Sequence, residues 1–227
     1  VNDGPYGNGP DDPGYQDHFG SSATEGLELP PWERRERFGF LNALYLTCKD
    51  VLLSPGQFFH RMPSQVGLAQ PLFFAILLGL LATFFQWMYA LMGSSLQIFI
   101  SDDLSEVMKA PIFSFFNFLF SPITVSVGLF FQAGLTHLML ILLGGNRLGF
   151  EATFRVAAYS EATALLLMIP GCGAFLALIW SLVVMVVGLY SIHEIEPWKA
   201  VLSILLPTII CLATIGGSVV ALVAGLN

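Results

Sequence analysis

Residues 71–92 read PLFFAILLGLLATFFQWMYALM, with no charged side chain. About 20 apolar residues are enough for a helix to cross the hydrocarbon core of a bilayer, so this stretch decides the solvent in which the chain folds. Pro71 opens it, a position where its missing N–H is one that a helix start leaves unpaired anyway. The whole chain agrees, at 55% hydrophobic and 11% charged residues, against about 45–50% apolar and about 25% charged in soluble domains.

Further apolar stretches follow. Residues 111–144 are too long for one crossing, because 34 helical residues extend about 51 Å. Pro122 is the natural break. It predicts an interfacial or re-entrant segment over 102–120, rich in phenylalanine, and a second span over 123–143. A third span is expected at 152–169, a fourth at 173–192 and a fifth at 198–222. The fold class expected is therefore all-α, a polytopic integral membrane helix bundle with five transmembrane helices. Cytoplasmic segments are enriched in Lys and Arg. With the N-terminus inside, Arg34, Arg35, Arg37, Lys49, Arg61, Arg147, Arg155 and Lys199 are cytoplasmic and only Lys109 is outside, which predicts an N-inside, C-outside arrangement.

Ahead of the spans, residues 1–29 mix Gly4, Gly7, Gly9, Pro5, Pro10 and Pro13 with acids. Such a composition cannot bury enough apolar surface to offset chain entropy, so a disordered polar tail or linker is expected, with the membrane domain over 30–227. No apolar run of the signal-peptide kind occurs in residues 1–30. Between 34 and 53, Phe38, Leu41, Tyr45, Cys48 and Leu52 recur at helical spacing. That stripe predicts an amphipathic helix lying in the membrane interface or packed under the bundle. The bundle is thus expected to be preceded by an amphipathic interfacial helix.

Nine of the sixteen acids lie within the first fifty residues, so the net charge of −7 describes the tail and gives no footing for nucleic acid. Cys48, Cys172 and Cys211 have no metal-ligand spacing. Neither a P-loop, nor a dinucleotide fingerprint, nor an ordered Ser-His-Asp set is present, so no enzyme activity, cofactor or metal is expected.

An ionisable residue inside a span is by default a functional-site hypothesis. Glu161 lies about 15 Å into the third span, and on the second span His137 and Gln132 lie about 10 Å and about 18 Å from the same surface. Gln132, His137 and Glu161 thus form a candidate intramembrane polar cluster, with the Glu161 carboxyl expected to bond to His137 or Gln132. Arg155 follows Glu151 at ion-pair spacing, while His193, Glu194 and Glu196 read as a polar cytoplasmic turn. Ala213, Gly217, Ala221 and Gly225 give the fifth span a small-residue packing face. Ala75, Gly79 and Thr83 give the first span a shorter one.

The order of local signals resembles the bacterial members of the Yip family. The matching pieces are Pro31-Trp32-Glu33, Ser54-Pro55 with Phe58 and Phe59, Pro71, Gly144-Gly145, Phe154-Arg155 with Ala158-Tyr159, Pro170-Gly171, Trp180, Gly188, and His193 before Ala200. The resemblance implies a five-span fold with a cytoplasmic N-terminus in a bacterial plasma membrane, but no reaction. Arg155, Tyr159 and His193 are candidate cytoplasmic-face contact residues; the resemblance implies a structural or partner-contacting role for His193, and Arg155 also reads as a positive-inside anchor. The expected function is a non-catalytic membrane-organising or partner-binding module, in contact with the lipid bilayer, with protein partners at the cytoplasmic face and oligomerisation open. Transport of a small molecule, ion or lipid through the Glu161 layer is the alternative, and an intramembrane enzyme a weaker one.

Overall fold

The computed structural model describes residues 27–98, 100 and 103–225, excepting the side chains of 212 and 215–225. The expected tail therefore lies, up to residue 26, outside the described residues. Every regular element among them is helical. A 3-10 turn, Pro31–Arg34, leads through α1 (Arg35–Phe38) into α2 (Phe40–Leu53) and α3 (Pro55–Arg61). The long helices α4 (Ala69–Gln97) and α5 (Leu104–Leu142) follow. Then α6 (Gly149–Ser160) continues as a 3-10 run over Glu161–Met168, before α7 (Gly173–His193) and α8 (Pro197–Gly225). Of these, α4, α5 and α7 are long and apolar enough to cross a membrane.

Pro122 does not divide the chain. The segment expected at 102–120 and the span expected at 123–143 are one helix of 39 residues, about 58 Å long. A proline inside a helix leaves the carbonyl four residues back without its amide donor. Here that carbonyl belongs to Phe118, and the Ser121 hydroxyl donates to it at 2.8 Å. The helix starts on Asp103, whose carboxylate accepts from the Ser105 and Glu106 amides.

Helix α5 packs along α4, and Gly79 sets the approach: a Cβ there would stand 2.5 Å from Cγ2 of Val125. Ala75 and Ala82 are buried on the same side of α4, so this small face packs within the bundle. Further along the pair, Trp87 stacks on Phe118 with centroids 6.2 Å apart. On α8, Ala213 is exposed, and the side-chain surroundings of Gly217, Ala221 and Gly225 lie outside the described residues.

The expected third span is not one α-helix. Helix α6 ends at Ser160 and the chain tightens into the 3-10 run. All nine residues from Ala152 to Ser160 are buried, making α6 the centre of the bundle, whereas in the 3-10 run only Ala162 and Thr163 are buried.

The stripe expected on the N-terminal helix also divides. Helix α2 buries Ala43, Thr47, Cys48 and Val51 against the bundle, whereas Leu41 and Tyr45 are 76% and 63% exposed. Apolar residues occupy two sides of this helix, and only one can face the protein. Its end is tied to α7, where Trp180 Nε1 donates to the Leu52 carbonyl at 3.2 Å. Ser54-Pro55 then turns the chain into α3. Phe59 of α3 lies against Gly188 of α7, where an added Cβ would meet Val156 Cγ1 at 2.6 Å and the Phe59 ring at 3.0 Å.

Candidate functional site

Three polar arrangements stand out in an otherwise apolar interior. The first begins at Trp32, which is fully buried. Its amide donates to Thr47 Oγ1 at 2.8 Å and its indole N–H to the Gln70 carbonyl at 3.0 Å. Its ring sits among Phe40, Phe73 and Phe74, with the Arg35 guanidinium 5.2 Å from its centroid. This anchor carries the next residue inward. Glu33 Oε1 accepts from both Arg155 Nη2 and Tyr159 OH, and the Arg155 and Glu33 side chains are 0% and 5% exposed. Arg155 also donates from Nη1 to the Gly67 carbonyl at 3.1 Å. The Tyr159 ring fills the space between Phe58 and Phe74. The result is a clasp that ties the N-terminal segment to α6.

Arg155 and Tyr159, expected at the cytoplasmic surface as contact residues, are closed to any partner by this clasp. Arg155 does not pair with Glu151 either. Glu151 Oε1 instead accepts the Val66 and Gly67 amides at 2.6 and 2.5 Å, so the two side chains grip the same loop from opposite polarity. A buried cation needs an anion, and the loop amides were open to Glu151 while Glu33 was open to Arg155.

The second arrangement joins His137, Thr153 and His193. The Thr153 hydroxyl lies 3.2 Å from His137 Nδ1 and 3.1 Å from His193 Nε2. His193 Nδ1 accepts the Arg147 and Leu148 amides, each at 3.4 Å. Those amides leave the His193 proton on Nε2, which must donate to Thr153. The single Thr153 proton then goes to His137 Nδ1, and the His137 proton sits on Nε2. His193 is fully buried, so of the two roles expected of it the surface contact is closed off. It holds the turn between α5 and α6.

The third is Glu161. The expected cluster separates: His137 belongs to the Thr153 network, while Gln132 and Glu161 border one cavity of about 440 Å³ between α5, the α6 continuation, α7 and α8. Gln132 Nε2 donates to Met185 Sδ at 3.3 Å. Among the described residues no hydrogen bond or ion pair reaches the Glu161 carboxylate.

A family model, the Yip1 domain, matches residues 49–218. The chain belongs to the Yip1 domain family. The resemblance carried by Ser54-Pro55, Arg155, Tyr159, Gly188 and His193 lies inside the match, and each of those side chains or turns has a structural place in the bundle. No curated protein and no solved structure matches the chain. Glu33 and Trp32 precede the matched residues, so the Yip1 domain receives half of its buried clasp from the segment ahead of it.

Sequence reasoning missed Glu33, Thr153 and Gln70 as members of these arrangements. A signal for Glu33 existed: an arginine within the apolar run Phe154–Tyr159 needs a carboxylate partner once buried. Nothing local could select Glu33, which is 122 residues away in sequence.

Proposed function

We propose that this Yip1-domain protein is a non-catalytic multi-pass membrane module that binds a protein partner at a cytoplasmic cap formed by residues 28–61. The observation that carries the reading is the Glu33 clasp, which holds the cap rigid while its outer side keeps an open polar cleft of about 180 Å³. Glu28, Arg34, Asp50, Ser54, Gln57 and Arg61 line the cleft. A preorganised cleft with both charge signs suits a polar segment of another protein, because little ordering is left for binding to impose.

In this reading the domain has five spans, the N-terminus inside and the C-terminus outside, in a bacterial plasma membrane. Besides the three long apolar helices, α6 with its 3-10 continuation covers 12 and 8 residues, a rise of about 34 Å. The 29 residues of α8 extend about 44 Å. Alternating crossings agree with Glu33, Glu151, Arg147 and His193 gathering at one end of the bundle. The Lys and Arg distribution favours that end as cytoplasmic.

Photocrosslinking in native membranes tests the cap. A crosslinker at Gln57, in the cleft, should capture a protein of discrete mass, and one at Phe175, exposed on α7, only lipid. Opening the clasp with Glu33→Ala should abolish the Gln57 product. Lipid adducts alone at both positions would end the proposal. Transport through the Glu161 layer is a second reading, favoured by an unpartnered carboxylate beside a cavity, and solute uptake by proteoliposomes distinguishes it.

A further inference from the structure

The cavity beside Glu161 has a chemical bias that narrows what it can hold. Ser160, Thr163, Ser181 and Thr208 line it together with Gln132 and Glu161. Each of the four hydroxyls donates its proton to a backbone carbonyl of its own helix: Ser160 to Val156, Thr163 to Ser160, Ser181 to Leu178 and Thr208 to Ile204. A hydroxyl whose one proton is committed retains only acceptor capacity. Gln132 commits one of its two Nε2 protons to Met185, and its carbonyl oxygen remains an acceptor. Among the described residues no Lys or Arg borders the cavity. The lining is therefore rich in acceptors around an unpartnered carboxylate. Its complement is a group with several donors, no acceptor and a positive charge, and a primary ammonium is the most compact common group that meets all three. A phosphate or carboxylate head would meet acceptors and a like charge instead.

An apolar groove of about 280 Å³ between α5 and α8 adjoins the cavity, with Gln132, Ile204 and Thr208 in the lining of both, and Leu135 and Pro207 line the groove beyond them. We propose that the cavity and groove together form a binding site for a long-chain primary amine. The ammonium lies at Glu161, bonded to the surrounding hydroxyl and amide oxygens, and the alkyl chain lies in the α5–α8 groove. A donor-rich head satisfies the acceptors that water cannot easily reach inside a bilayer, and the chain needs only the apolar wall. Binding alone requires neither transport nor a cap partner, so this site stands or falls separately from the cytoplasmic cleft.

The test uses the full chain purified in a neutral maltoside detergent, with native mass spectrometry and thermal melting as readouts. Dodecylamine should give a one-to-one adduct and raise the melting temperature. Dodecyltrimethylammonium, equally charged but without N–H donors, should bind at least tenfold more weakly, as should dodecanol and dodecyl phosphate. Glu161→Gln should reduce dodecylamine affinity at least tenfold. Leu135→Trp, which fills the groove, should weaken dodecylamine while leaving the weak binding of butylamine unchanged. The wild-type ranking of ligands needs no variant, so poor folding of either substitution does not remove the test. Equal binding of the trimethylated or neutral analogue, or dodecylamine affinity unchanged by Glu161→Gln in a folded protein, would overturn the proposal.

Discussion

Glu33 is almost closed to solvent and accepts hydrogen bonds from Arg155 and Tyr159, whereas Glu161, two residues beyond Tyr159 on the same continuous helical segment, borders a cavity and bonds to nothing described. One carboxylate is built into the fold and the other is left available. The difference lies in what each helix turn faces. At Arg155 and Tyr159 the α6 surface meets the N-terminal segment, which brings an acid with it. At Glu161 the surface meets α7 and α8 across a gap lined by hydroxyls already bonded to their own backbones. A buried ion pair is costly to half-remove, because the survivor keeps its desolvation without its partner. An unpaired carboxyl has no partner to strand.

The largest expected effect follows directly. Arg155→Ala leaves Glu33 buried against Tyr159 alone, and thermal unfolding in detergent should show a loss of about 3–5 kcal/mol, with protease access to the 28–61 cap. An Arg155→Ala protein that melts like wild type would make the clasp incidental and erase the contrast with Glu161.

Next is Gly188, where the cap helix α3 meets α6 and α7. Gly188→Ala brings a methyl group within 2.6 Å of Val156 and 3.0 Å of Phe59, a degree of overpacking that should cost about 1–3 kcal/mol. Combining it with Phe59→Ala, which vacates one of the two contacts, should recover part of the loss. Additive costs would show that Phe59 yields freely and that the cap is held by the clasp rather than by this packing.

Glu161→Leu should lie within about 1 kcal/mol of wild type, or above it, since an apolar replacement removes a desolvated group that has no partner. A large loss in the same unfolding assay would mean that Glu161 is tied down after all, and the two carboxylates would no longer differ in kind.

The smallest effect belongs to a third carboxylate, in water. Asp103 is held below the usual 3.8 by the Ser105 hydroxyl, then by the Ser105 and Glu106 amides. Its folded pKa is depressed, so its support of the α5 start is present above the unfolded value and fades as pH falls through the folded one. Amide NMR signals of Ser105 and Glu106 should titrate with a midpoint below 3.8. A midpoint at or above that value would mean the cap on α5 does not form in solution.

Much of the architecture was legible from composition and period alone. Helix α4 was visible in Pro71–Met92, α7 in the apolar run after Gly173, and the Yip1 domain in scattered signals such as Ser54-Pro55 and Phe154-Arg155. Pro122 misled because a proline penalises a helix only through one lost bond and one steric contact. The Ser121 hydroxyl bonds the released carbonyl, and a long apolar helix packed on α4 carries the remainder. The stripe on α2 misled because periodicity reports that residues share a face and says nothing of which apolar surroundings that face meets.

What the sequence by itself determined is therefore the solvent and the helical periods. A run of uncharged residues long enough to cross hydrocarbon has only intramolecular partners for its amides, whatever surrounds it. Only the tertiary structure decided the polar pairings. Arg155 chose Glu33 over its helical neighbour Glu151, Thr153 came to bridge two histidines, and the Glu161 carboxylate kept no partner among the described residues, because each outcome depends on which helix lies within about 3 Å of a given side chain. Residues 122 positions apart acquire that proximity through packing alone, and no local pattern in the chain encodes it.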